Sequence, residues 1–147
     1  GNIGNMLPVP FDFDRLYPNV WLGCTVVNQA EADRDIPKLL SVPAAVRFLS
    51  MEPLLGPVDV GAPVRAALFS GKIAHSGDGT KPLGLVICGG ESGPGARVWP
   101  GLADAARSLR DQCRAAGVAF FMKQMAGPRK AIMPPIPDDL MIREFPQ

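Results

Sequence analysis

Leu83-Gly-Leu-Val-Ile-Cys88, followed at once by Gly89-Gly-Glu-Ser-Gly-Pro-Gly-Ala-Arg97, is the stretch on which the fold turns. The first part is apolar throughout and too short for a helix. A strand with one wet face would alternate apolar and polar residues, so this one reads as covered on both faces, as in parallel sheets with helical crossovers. Val20–Val27, Ala45–Met51 and Val118–Met122 have the same nearly continuous apolar character. Four such runs separated by longer segments predict an α/β class in the order β-α-β-α-β-α-β.

Working outward, Asn28 and Glu31 stand at the spacing of a capping box that opens a helix with Ala32, Ile36, Leu39 and Leu40 on one side. Pro37 is expected to break that helix into two turns. A turn at Pro53–Pro57 leads to a short helix over Ala62–Phe69, and Ser70–Pro82 reads as a polar loop. Leu102, Ala105, Ala106, Leu109, Cys113 and Ala116 make one apolar stripe, which predicts a helix over Leu102–Ala116 that ends on Gly117 as a left-handed cap. Residues 1–125 then form the α/β domain. Residues 126–147 are a Pro-rich tail packed on it, with Leu140–Phe145 adding an extended segment.

Four βα units are half of an eight-strand barrel, and as an open sheet they would leave two apolar edges. An N-terminal half lying outside the chain, or a second copy, is the partner expected to cover them.

The 147 residues, 47% hydrophobic and 20% charged, suffice for one domain with a real core. Sixteen glycines and sixteen prolines call for many loops. A formal net charge of +1 advertises neither nucleic acid nor membrane. With no long apolar run and no leader-like segment, a cytoplasmic setting is expected. Cys24, Cys88 and Cys113 are odd in number and far apart, which excludes a disulfide framework or a C-x-x-C metal site within the chain; they read as reduced core thiols.

In parallel α/β folds, ligands lie beyond the carboxyl ends of the strands. Those ends carry Thr25 and Asn28, then Ser50 and Glu52, then Gly89, Gly90, Glu91 and Ser92, then Lys123 and Gln124. Glu52 and Glu91 are placed for general acid or base work with Lys123 as counter-charge, unless they form a structural Glu–Lys pair. The glycine-rich segment to Arg97 offers backbone amides and a guanidinium to an anion, or is simply a tight turn. It matches neither the P-loop nor the dinucleotide pattern. No metal ligand set is expected.

His75, the single histidine, reads as an exposed loop residue, and Trp21 as core, whereas Trp99 could stack on a ring. Arg47, inside a strand, needs a partner, for which Asp59 or a carboxylate from outside the chain is the candidate.

Asn19-Val-Trp-Leu-Gly23, Pro43-Ala-Ala-Val-Arg47-Phe, Glu52-Pro-Leu-Leu-Gly-Pro57, Gly89–Arg97, Leu109-Arg-Asp-Gln-Cys113 and Phe120-Phe-Met-Lys-Gln124 together resemble the phage and prophage three-cysteine-motif proteins. The resemblance implies a longer protein on a barrel-like α/β fold similar to radical S-adenosylmethionine enzymes, of which this chain is the C-terminal half. Its iron–sulfur cluster and S-adenosylmethionine would belong to the other half, because the cluster motif is absent here. The strand ends named above would then face a substrate and that cofactor. Gly89-Gly90-Glu91 spells the letters that hold the methionine amine in those enzymes, but lies too late in the strand order to take over that role. Two further readings are a non-catalytic module that binds a partner protein or nucleic acid, and a small hydrolase using paired carboxylates.

Overall fold

The computed structural model describes residues 17–74 and 81–147. The chain runs β1 (Trp21–Thr25), α1 (Gln29–Leu40), β2 (Val46–Met51), α2 (Gly61–Phe69), β3 (Leu85–Gly89), α3 (Leu102–Ala116) and β4 (Ala119–Gln124). The strands form one parallel sheet in the order β1-β2-β3-β4, so the α/β expectation holds. His75 lies outside the described residues. Among those described, no helix is long and apolar enough to cross a membrane.

Consecutive parallel strands in chain order need every crossover to turn the same way, which puts all helices on one face of the sheet. Leu22, Leu49, Met51, Val86, Cys88, Phe120 and Met122 point to that side and form a single buried cluster with Ile36, Leu39, Ala106 and Leu109. The opposite face carries Gly23, Thr25, Val46, Phe48, Ser50, Ile87 and Phe121, half-buried or exposed, around a buried Leu85. Among the described residues, helices therefore cover one face, and the second face is covered only in part, at Leu85 and Gly89. Apolar residues on both sides are equally the signature of a barrel wall, whose inner face is also apolar. Trp21 sits on this open face at 44% exposure, which corrects its reading as core.

Helix α1 runs unbroken through Pro37. The bond that proline forfeits belongs to the carbonyl of Asp33, an exposed residue at which water can replace it. Asn28 caps the helix through Oδ1, 3.0 Å from the amide of Glu31, and Glu31 reaches back to the amide of Val27. Helix α3 ends on Gly117 at φ 65°, as its pattern predicts.

Arg47 is 1% exposed and points into the helical layer. Its guanidinium donates to the carbonyls of Val42 at 2.9 Å and Ala74 at 2.8 Å. Backbone carbonyls thus serve where Asp59 was expected; Asp59 pairs with Arg65 instead.

The tail first extends the sheet, Gly127 pairing with Ser92, and then returns along β4. The amide of Met122 donates to Ile142 and that of Glu144 to Phe120, so residues 142–144 lie antiparallel on the outer edge of β4. One of the two edges expected to be open is therefore covered by the chain itself.

Candidate functional site

Glu52 follows the last residue of β2 and points to the open face. Lys123 lies near the end of β4, two strands away, yet its Nζ donates to Glu52 Oε2 at 2.7 Å. Two local features accompany this. Cys88 pairs with Met122 but Gly89 pairs with Gln124, so Lys123, on the same face as Phe121, is an extra residue in a bulge. Between the two charges stands Gly89, where a Cβ would sit 3.0 Å from Glu52 Oε1. A side chain at this position would require Glu52 to shift by a few tenths of an ångström.

The Glu52 side chain is 16% exposed and that of Lys123 54%. Oε1 of Glu52 is buried and has no hydrogen-bond partner. An unpaired buried carboxylate oxygen costs stability and is uncommon in a group retained for structure alone. Beside the pair on the open face lie Ser50 and, in register with it, Thr25. Phe48 floors the neighbouring region, its ring lying directly against Gly23.

The second expected carboxylate does something else. Glu91 Oε2 accepts from the Arg97 backbone amide at 2.7 Å and from Arg97 Nε at 2.8 Å, while Oε1 accepts from Nη2 at 2.9 Å. These bonds hold the carboxyl near pKa 2, which makes Glu91 a poor proton acceptor at neutral pH. The loop 91–97 is a self-closed turn, with Gly93 and Gly95 in the left-handed region. Glu91 and Arg97 thus satisfy each other and do not share Lys123. Ser92 is exposed beside them.

Three more expected ligand residues are taken up locally. The oxygen of Asn28 is the α1 cap. Gly90 is a close-packing glycine against the backbone of Ala126. Gln124 donates its amide to the carbonyl of Gly90 at 3.0 Å. Pairing of Glu52 with Lys123 was foreseeable from charge and strand position. The bulge was not, because its only trace is a one-residue difference in strand length.

An iron–sulfur cluster does not fit these residues. Among the described residues, no group of three His, Cys, Asp or Glu side chains stands close enough to hold a metal. Clusters need converging thiolates. Here burial pushes the Cys24 thiol up to about 11 and those of Cys88 and Cys113 up to about 12, and the three sit in β1, β3 and α3.

No curated protein and no solved structure matches the chain. Its sequence does match a family model over residues 3–136, and on that match the chain belongs to the family described as Protein of unknown function (DUF5131).

Proposed function

We infer that this chain is the C-terminal, ligand-facing wall of a larger phage-type barrel enzyme of the radical S-adenosylmethionine-like kind, working in the cytoplasm, with Glu52 and Lys123 as its reacting or ligand-holding groups. The observation that carries the reading is Glu52: a carboxylate at a strand's carboxyl end, on the face free of helices, with one oxygen on Lys123 and the other buried without a partner. The open apolar face supports it, because a barrel interior is the surface that further strands would enclose.

In this reading Oε1 of Glu52 accepts a hydrogen bond or proton from the ligand once Lys123 swings aside, and the ammonium of Lys123 takes up negative charge. Thr25 and Ser50 supply hydroxyls beside them. The cluster and S-adenosylmethionine, which supply one-electron chemistry, would be bound by residues outside this chain, and further strands would join at β1, since the tail occupies β4.

The test is a full-length family member reconstituted anaerobically with iron and sulfide. Cluster absorption and cleavage of S-adenosylmethionine are expected, with Glu52→Gln and Lys123→Met abolishing turnover in a folded protein. Absence of cluster absorption removes the radical-enzyme part. Unchanged turnover in both variants removes the wall and leaves a binding or assembly module that recognises a partner protein or nucleic acid.

A further inference from the structure

At the opposite end of the strands, away from Glu52, the amino ends of β2 and β4, the last turn of α3 and the tail border an open-sided cavity of about 620 Å³. That volume falls inside the roughly 300–1,000 Å³ of small-molecule sites. Its lining is unusually cationic. Arg47, Lys81, Arg110 and Arg114 border it, against the single acidic side chain of Glu144. Glu144 is already engaged, its Oε2 accepting from the amide of Phe120 at 3.0 Å.

The four cations are not equivalent. Arg47 is committed to the carbonyls of Val42 and Ala74, and Arg110 to Asp111 and Asp139. Arg114 is exposed and makes no ion pair within the described residues. The carboxyl end of α3 contributes about half a negative charge here. Glu144 keeps its full charge, because an amide hydrogen bond does not neutralise a carboxylate, so it is the lining as a whole, four cations to one acidic side chain, that favours an anion. Phe145 also borders the cavity, 62% exposed, with its ring held edge-on to Phe121 at 5.5 Å between centroids. A large exposed aromatic and an unpaired guanidinium on the border of one cavity can stack a flat ring and hold its charge.

We propose that this cavity is a second ligand site, for a small anion carrying a flat ring, of the nucleoside monophosphate class, with Arg114 on the phosphate and Phe145 on the base. It is independent of the strand-end reading, because it uses none of the same residues.

Adenosine monophosphate, adenosine and inorganic phosphate are the probes, titrated into the purified chain by calorimetry. Adenosine monophosphate should bind saturably and more tightly than either fragment, and more weakly as salt rises. Arg114→Gln and Phe145→Ala should each weaken it about tenfold, the first by removing a charge-assisted bond and the second a stacking surface. Both positions are exposed, so the fold is expected to survive, and circular dichroism of each variant checks that. Absence of saturable binding, phosphate binding as tightly as the nucleotide, or affinity indifferent to both substitutions would overturn the proposal.

Discussion

Lys123 Nζ stands 2.7 Å from Glu52 Oε2 although β2 and β4 are not neighbours in the sheet. Two strand spacings are about 9.6 Å, a gap that only a long side chain crossing an unobstructed position can close. Gly89 lies in the strand between them, and the Glu52 side chain packs against it.

Gly89→Ala should push Glu52 away, since the added methyl would meet Oε1 at 3.0 Å, Cγ at 3.2 Å and Cδ at 3.3 Å. A loss of about 1–2 kcal/mol in urea unfolding is expected. Glu52→Met, by contrast, removes the unpaired buried oxygen and should leave stability unchanged or raise it by about 1 kcal/mol. If Glu52→Met destabilises the fold more than Gly89→Ala, the carboxylate is structural.

Arg47→Met should be the costlier change. It strips donors from the carbonyls of Val42 and Ala74, which tie the approach to β2 to the end of the α2 loop. The two carbonyls are only partly buried, so losing the bonds from the buried guanidinium should cost about 2–3 kcal/mol in chemical denaturation. A change below 1 kcal/mol, roughly the value of one ordinary net hydrogen bond, would show that the loops hold without it.

Leu140 is fully buried in the tail and anchors the segment that covers β4. Leu140→Ala should cost about 2–5 kcal/mol and free the edge. Faster amide exchange at Phe120 and Met122, whose amides bond the tail, together with concentration-dependent aggregation, is the expected signature. Exchange at these amides equal to the parent protein's would mean that the edge is guarded in another way.

Acid should weaken the fold in a defined window. Arg34 and Lys38 hold Asp35, Arg97 holds Glu91, and Arg107 and Arg110 hold Asp139, each near pKa 2, below the usual 3.8 or 4.5. For depressed carboxylates the stabilisation is complete above the unfolded-state value and fades as pH falls towards the folded one. The urea midpoint should therefore be flat near neutrality and fall from about pH 4.5 to about pH 2. These pairs are largely exposed, so added salt should shrink the drop. A midpoint independent of pH across that window would mean that they contribute nothing.

Much of this molecule can be read along the chain, because helices and strands answer to near neighbours. The stripe of α3, the cap at Asn28, the left-handed Gly117 and the four apolar runs each rest on spacings of a few residues, and parallel pairing follows from their joint order. Which charges meet does not. Glu91 closes on Arg97 because a loop of glycines folds back over six residues, and Lys123, from a bulge in β4, reaches Glu52 across β3, where Glu52 packs against Gly89. Arg47 finds carbonyls from loops far apart in sequence, and the tail returns to β4. Local pattern determined the elements and their class. Only the tertiary structure decided the partners, because contacts over tens of residues depend on where every intervening element packs.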